Sequence, residues 1–343
     1  MNISVLTNKL CAIYENAGFL KYKMQKFEEY SLYLQNKSFL QSEFVITFND
    51  LSGRLLALKP DVTLSILKNS KAGSGKTEKV YYTESVYRLD RKSHEYREIN
   101  QAGLEVIGSV SETETAEVII LALKSLEASG QNFTLDIAHM GLYRSLTASL
   151  PATLSEKVTE CFKAKNIHEL RLLLEGYEEK DKIISLAELK GSTAQRLSLL
   201  EKIFPDNEVL EELKGVYSVL EELGYADKIG IDFSIIEGSV YYNGIVFKGY
   251  LENLYKATLS GGRYDKLSDG FKKGLEALGF AVYLDDLSSL SETEEFDCDT
   301  LVVGENSLAV LKVAEALRLS GERIRTAREN NGSIRYKQVL EVE

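Results

Sequence analysis

The chain has 343 residues, of which 44% are hydrophobic, and a formal net charge of −11. This length exceeds one typical domain and allows two or three packed units. No apolar run reaches the ~18 residues that a membrane helix needs, and the N-terminus lacks the basic-then-apolar pattern of a secretion signal, so we expect a cytoplasmic protein. The acidic balance argues against a tRNA-binding protein, because nucleic-acid affinity depends on a basic face.

The spacing of cysteines, histidines and glycines disfavours three kinds of site. The three cysteines are far apart and odd in number, which is typical of reduced thiols. The three histidines are dispersed, with no cysteine or acid at ligand spacing, so we predict neither a metal site nor a cofactor. Residues 71–77 end like a phosphate-binding loop, but Ser70 stands where the first glycine belongs and a strand follows, which favours a surface turn.

The first 140 residues are predicted to combine helices with an antiparallel hairpin. Helices are predicted at residues 4–17, 61–70 and 113–129, the last with Ser111 and Glu114 at the spacing of a capping box. Apolar residues alternate in residues 80–88 and again in 96–107, which predicts two half-buried strands joined by a charged loop. Arg88 ends the first strand, where its guanidinium could donate two hydrogen bonds to an anion.

The rest of the chain is predicted to be helical first and then mixed. Residues 141–226 are helical in character, with Leu210, Leu213 and Tyr217 at three- and four-residue spacing. Strands are predicted to resume at residues 229–236, 241–250, 257–259 and 278–284. After an acidic linker at 291–295, strands are predicted at 300–304, 324–327 and 334–342, and a helix at 308–320.

Five motifs in a fixed order give the chain a recognisable family pattern. The hairpin, with Arg88 followed by Arg97-Glu98-Ile99-Asn100-Gln101-Ala102-Gly103-Leu104-Glu105, resembles motif 2 of histidyl-tRNA synthetases and their paralogues. The other four motifs are LKPDVT at 58–63, YYNGIVF at 241–247, GGRYDKL at 261–267 and GFAVYLDDL at 279–287. Together they cover about residues 1–290.

The resemblance implies an α+β fold of the class II synthetase type, an antiparallel sheet flanked by helices. It implies a degenerate catalytic core at residues 1–140 and 227–290, with a helical insertion at 141–226. Residues 291–343 would then be a truncated C-terminal α/β domain, with too little room for the anticodon-binding unit of the synthetases.

Two departures from the synthetase pattern imply that the chain does not adenylate histidine. Glu237 and Asp286 stand where the synthetases have arginines that act on the histidine carboxylate and the ATP phosphates. Catalysis of this kind depends on positive charge where negative charge develops, and losing one such group typically costs about a hundredfold in rate or more. Motif 1 also departs: residues 23–28 keep the Glu but lack the family's Pro.

These departures make the chain similar to one branch of the family, the regulatory subunits of ATP phosphoribosyltransferase, which catalyses the first step of histidine biosynthesis. The resemblance implies a catalytic subunit as partner, histidine as effector, and a homodimer within a hetero-oligomer, with no tRNA and no membrane contact. Two alternatives stay open. One is an active histidyl-tRNA synthetase, and the other is a synthetase-like regulator with a different partner.

The resemblance also implies a histidine pocket, in which acids would bind the ammonium, an amide and hydroxyls would bind the ring nitrogens, and aromatic rings would flank the imidazole. Its residues by position are Asp61, Thr63, Arg88, Gln101, Glu105, Tyr241, Tyr242 and Tyr264. The alternative is that these are core residues that satisfy one another, which is favoured for the two adjacent tyrosines taken alone. For Asp61, Gln101 and Glu105 together a pocket is favoured, because unpaired buried acids are costly. Glu237 would repel the histidine carboxylate, or it could pair with Arg88.

Overall fold

The computed structural model describes residues 3–36, 45–73, 75–89, 93–236, 241–272, 274–288 and 296–343. Glu237, one of the two departures from the synthetase pattern, lies outside these described residues. The chain divides into two compact units, Ile3–Ser289 and Leu290–Glu343. Among the described helices, none combines the length and the apolar character that crossing a bilayer requires.

Strands and helices both occur in each of the two units. The strands are β1 Leu20–Lys21, β2 Phe27–Glu29, β3 Thr47–Asn49, β4 Leu55–Leu58, β5 Glu78–Leu89, β6 Tyr96–Gly108, β7 Phe133–His139, β8 Ile229–Ile231, β9 Ile245–Leu251, β10 Leu259–Arg263, β11 Glu276–Tyr283, β12 Cys298–Val303, β13 Ile324–Ala327 and β14 Tyr336–Glu341. The helices are α1 Ile3–Asn16, α2 Tyr30–Gln35, α3 Thr63–Asn69, α4 Glu112–Glu127, α5 Met140–Thr147, α6 Ala152–Ala164, α7 Ile167–Leu173, α8 Lys180–Ala187, α9 Thr193–Ile203, α10 Glu208–Glu222, α11 Asp265–Phe271, α12 Leu284–Ser288 and α13 Ser307–Leu319.

The centre of the larger unit is an eight-stranded sheet. Its described strands run in the order β1-β5-β6-β11-β10-β9-β7-β8. Neighbours are antiparallel from β5 through β7, and the two edge pairs, β1 with β5 and β7 with β8, are parallel. The predicted hairpin is confirmed, and so is the α+β class with an antiparallel sheet flanked by helices.

The two faces of this sheet serve different purposes, because successive side chains of a strand point to opposite faces. One face carries Tyr81, Leu104 and Phe280 and packs beneath α1 and α4. The ring of Tyr14 from α1 lies 5.8 Å from that of Tyr81 and 6.0 Å from that of Phe280. The Tyr14 hydroxyl also shares a 2.9 Å hydrogen bond with Ser125 of α4. This apolar face leaves the opposite face of the sheet free for polar groups.

Helix α4 begins as the sequence predicts. Ser111 is its N-cap, and its hydroxyl accepts a hydrogen bond from the backbone N–H of Thr113. The side chain of Glu114 accepts in return from the backbone N–H of Ser111 at 3.0 Å. The predicted capping box is confirmed, and it satisfies backbone donors that the first helical turn would otherwise leave unpaired.

Three predicted strands differ from the structure. The strand predicted at 229–236 ends at Ile231, because the Asp232 carboxylate accepts from the backbone N–H of Ser234 and a short 3₁₀ turn follows. The strand predicted at 241–250 begins only at Ile245, since Asn243 instead bridges to the backbone N–H of Asp265 at 2.7 Å. The strand predicted at 257–259 lies at Leu259–Arg263 instead.

The glycines of the fourth motif explain that last difference. Gly261 and Gly262 both lie within β10. A Cβ on Gly261 would lie 2.4 Å from the Cβ of Phe280 on the neighbouring strand. The glycine is therefore needed for the close packing of aromatic rings across the sheet, and it does not mark a turn.

The remaining elements form the insertion, a small sheet and the C-terminal unit. Helices α5 to α10 follow one another between β7 and β8, within the region predicted to be a helical insertion. Strands β2, β4 and β3 make a separate antiparallel sheet in that order. In the C-terminal unit, β13, β12 and β14 form a parallel sheet, and Val302 of that sheet packs with Val310 and Ala314 of α13.

Candidate functional site

The polar face of the large sheet is formed in its centre by alternate residues of β6. Gln101, Gly103 and Glu105 point to this face, and each has a cross-strand partner on β5 and on β11. Gly279 of β11 lies opposite Glu105, and a Cβ there would lie 1.7 Å from Glu105 Oε2. A side chain at this glycine would therefore occupy the space that the Glu105 carboxylate fills.

Glu105 is the central group of the site. Its side chain is buried, and it accepts hydrogen bonds from Thr63 Oγ1 at 3.0 Å and from the Tyr264 hydroxyl at 2.5 Å. Within the described part of the chain, no lysine, arginine or histidine makes an ion pair with it. Burial raises the pKa of Glu105 to about 8, the two hydrogen bonds oppose this shift, and the charge of Asp61 adds to it. The site thus contains a buried acid without a countercharge.

The second acid, Asp61, lies at the start of α3 and has two partners. Its Oδ1 accepts a hydrogen bond from the backbone N–H of Leu64 at 2.9 Å, which fixes the carboxylate at the helix N-terminus. Its Oδ2 lies 3.6 Å from Arg88 Nη2, and Arg88 Nε donates to the carbonyl oxygen of Pro60 at 2.6 Å. Arg88, which the sequence suggests as a phosphate ligand, is therefore bound within the chain.

Three tyrosines make an aromatic wall beside these acids. The rings of Tyr241 and Tyr242 are 4.8 Å apart, and those of Tyr241 and Tyr264 are 5.6 Å apart. Both adjacent tyrosines pack against the buried core cluster that contains Tyr264. The backbone carbonyl of Tyr242 also accepts a 2.7 Å hydrogen bond from Arg144 Nη2, which ties the wall to the helical insertion. The core packing expected for two adjacent tyrosines is present, and their rings also line the site.

Gln101 differs from its neighbours in what it contacts. Its side chain is 5% exposed, and among the described residues its carboxamide has no hydrogen-bond partner. A buried amide normally finds partners for its donors and its acceptor. The amide is therefore available to a bound molecule.

The eight predicted residues lie in one region of the fold, and most of them are joined by direct contacts. Thr63 and Tyr264 contact Glu105, Arg88 contacts Asp61, and the tyrosine rings pack on one another. Gln101 lies two residues before Gly103 on the same strand face. That these residues bind histidine stays a prediction.

Two charged residues near the site were missed by the sequence analysis. Lys59 is 1% exposed, and its ammonium forms a short ion pair with Glu84 of β5. Glu84 also accepts a 3.0 Å hydrogen bond from the backbone N–H of Met24. The sequence offered one signal of this pair. Glu84 alternates with Tyr82 and Val86 and therefore points to the same face as these apolar residues, where a carboxylate requires a partner.

The two acids of the GFAVYLDDL motif at 279–287 are paired as well. Asp286 on α12 lies 2.6 Å from the ammonium of Lys256. Its neighbour Asp285 accepts hydrogen bonds from the backbone N–H and the side-chain amide of Asn100, both at 2.8 Å. Asp286, which stands where the synthetases have an arginine, therefore pairs with a lysine of this chain.

Known proteins resemble this chain in sequence. A family model described as histidyl-tRNA synthetase matches residues 1–287. The ATP phosphoribosyltransferase regulatory subunit of Clostridium kluyveri is 33% identical over 311 residues, which cover 83% of this chain and 77% of the relative.

Solved structures show the same fold. A Bacillus halodurans protein described as an ATP phosphoribosyltransferase regulatory subunit/histidyl-tRNA synthetase matches with a TM-score of 0.80 and 23% identity, covering 99% of this chain and 93% of that one. A chain of the ATP phosphoribosyl transferase (HisG:HisZ) complex of Thermotoga maritima matches with a TM-score of 0.66 and 21% identity, covering 81% and 96%. The chain thus belongs to the family of ATP phosphoribosyltransferase regulatory subunits, which share the fold of histidyl-tRNA synthetases.

Proposed function

We propose that this chain is the non-catalytic subunit of an ATP phosphoribosyltransferase, that it works with a separate catalytic subunit, and that it makes the first step of histidine biosynthesis sensitive to histidine. The observation that carries the proposal is that charged residues of the five motifs are paired within the chain. The pairs are Lys59 with Glu84, Arg88 with Asp61, and Lys256 with Asp286.

Neutralised cations are poorly suited to adenylation. That reaction moves a polyphosphate past a carboxylate, and it needs cations that are free to meet the developing negative charge. Arg88 already donates to Pro60 and contacts Asp61, and Lys59 is buried against Glu84. Binding ATP through Lys59 would require breaking a buried ion pair, and binding it through Arg88 Nε would require breaking the hydrogen bond to Pro60, which supports a regulatory role over a catalytic one.

The acids of the site support histidine as the effector. Glu105 is buried without a cationic partner among the described residues, so a ligand that carries a positive charge would relieve its unfavourable burial. Histidine offers an ammonium for this purpose and an imidazole whose ring nitrogens match the free amide of Gln101. The tyrosine wall gives that ring an aromatic surface.

The small sheet supports self-association. Phe27 of β2 and Phe48 of β3 have side chains that are 46% and 40% exposed, and their rings contact each other across β4 at 5.6 Å. Phe27 lies within the motif 1 segment, through which synthetase cores of this type form dimers. Exposed aromatic pairs of this kind favour a protein contact, and we propose that two copies of this chain meet here.

A histidine-dependent ATP–pyrophosphate exchange assay tests the non-catalytic role. We expect exchange at the background rate with the purified chain, while an active histidyl-tRNA synthetase run beside it serves as the positive control. Exchange clearly above background would establish the enzyme alternative. A parallel assay of phosphoribosyl transfer to ATP, with the catalytic subunit present or absent, tests the proposed partner.

A further inference from the structure

The hairpin of β5 and β6 extends beyond the sheet that supports it. Pairing between β6 and β11 ends at Gln101 opposite Tyr283, whereas β5 and β6 continue to pair up to Leu89 opposite Tyr96. Residues 85–89 and 96–100 therefore form a two-stranded ribbon. On the β5 side, the backbone N–H of Tyr87 donates to the carbonyl oxygen of Lys59 at 2.9 Å.

Arg88 is the side-chain link between this ribbon and the pocket. Its Nε donates to Pro60, on the segment that leads into α3, and its Nη2 lies 3.6 Å from Asp61 Oδ2. Asp61 is close enough to Glu105 for its charge to act on that buried acid. One guanidinium thus connects the ribbon to a carboxylate of the proposed effector pocket.

We propose that a ligand cation at Asp61 competes with Arg88 for this carboxylate, so that filling the pocket releases the guanidinium and loosens the ribbon from residues 59–61. The proposal rests on the proposed function, because it takes the pocket to be the effector site. Arg88 is then a positioning residue. Competition from its guanidinium lowers the affinity of the pocket for the ligand, and its release on ligand binding loosens the hairpin.

The geometry of the Arg88–Asp61 contact favours release of the guanidinium over a permanent ion pair. At 3.6 Å the contact is longer than a charge-assisted hydrogen bond, and the Arg88 side chain is 32% exposed, so water can replace the carboxylate. An ion pair of this exposure changes an equilibrium by about two- to fivefold. A ligand ammonium that donates directly to Asp61 would exceed that.

The test is the sign of the change in histidine affinity. Calorimetry on the full chain compares the wild type with Arg88→Met, which removes the competing charge, and with Arg88→Lys, which keeps a cation. Arg54→Met is the matched control, because Arg54 makes an exposed ion pair with Asp50 in the turn between β3 and β4. We expect histidine to bind Arg88→Met about two- to fivefold more tightly, with the control unchanged. Hydrogen exchange of residues 85–89 and 96–100 should rise on histidine binding in the wild type, and it should already be raised in histidine-free Arg88→Met.

All but one of the other outcomes contradict the competition. Weaker binding by Arg88→Met would mean that Arg88 contacts the ligand itself, for example its carboxylate. If Arg88→Met binds histidine with unchanged affinity, or if hydrogen exchange of the ribbon does not respond to histidine, then Arg88 does not couple the pocket to the ribbon. Binding by neither protein would refute the effector pocket together with this inference, whereas binding by Arg88→Met alone would support it in its strongest form.

Discussion

Replacing Glu105 by Gln keeps the shape of the side chain and removes the buried charge that we assign to the ligand cation. A charge-assisted hydrogen bond contributes about 1.5–3 kcal/mol, so histidine affinity should fall roughly ten- to a hundredfold. The loss should be measured at pH 8, near the raised pKa of Glu105, where the wild-type carboxyl is about half ionised in the free chain.

The pH dependence of binding gives the same prediction a second readout. With a pKa of about 8, Glu105 carries a proton in most free chains at pH 7, and a cationic ligand favours the ionised form. Binding should therefore release a proton, and affinity should rise roughly fivefold between pH 7 and pH 8. Burial is the main cause of this raised pKa, and Tyr264, Thr63 and Asp61 also act on it, so these three residues are kept unchanged.

Calorimetry in buffers of different ionisation enthalpy measures both the affinity and the released protons. The matched control is Glu127→Gln, which removes an exposed carboxylate from the end of α4, outside the proposed site and the ribbon. Glu105→Gln should bind weakly and release no proton from this site, and the control should match the wild type. Equal affinity and equal proton release in all three proteins would refute the reasoning and place any effector site elsewhere.

Four further predictions follow from packing, capping and burial. Gly279→Ala should lower histidine affinity at least tenfold, because its Cβ would overlap the Glu105 carboxylate; calorimetry measures this. Ser111→Ala should lower the free energy of unfolding by about 1 kcal/mol in urea, because it removes the cap of α4. Phe48→Ser should shift a dimer toward monomer in light scattering at micromolar concentration, and an unchanged mass would argue against this face. Because the folded pKa of Glu105 lies above its unfolded value, the wild type should lose stability relative to Glu105→Gln as pH rises from about 5 to 8, in urea titrations.

The hairpin and α4 could be predicted because local patterns determine them. Alternating apolar residues define β5 and β6, and the Ser111–Glu114 spacing defines the start of α4. The strand predicted at 229–236 was partly wrong because one side chain, Asp232, competes for a backbone N–H. Such a competition is decided by a local hydrogen bond that apolar periodicity does not register.

The sequence could predict which residues belong to the site, but not which of their side chains form ion pairs. The motifs name Thr63, Glu105 and Tyr264, and Thr63 and Tyr264 both donate hydrogen bonds to Glu105. The pairing of Arg88 with Asp61 could not be predicted, since it requires residues 59–61 to lie beside β5. Contacts between distant parts of the chain leave no periodic signal in either segment.

The most direct test of the account is a histidine titration of phosphoribosyl transfer to ATP by the complex reconstituted from this chain and a catalytic subunit. We predict that transfer depends on the presence of this chain, that histidine inhibits it, and that Glu105→Gln shifts the half-inhibiting concentration upward by tenfold or more. Full transfer without this chain would contradict the regulatory role. Identical inhibition of the wild-type and Glu105→Gln complexes would contradict the assignment of the pocket.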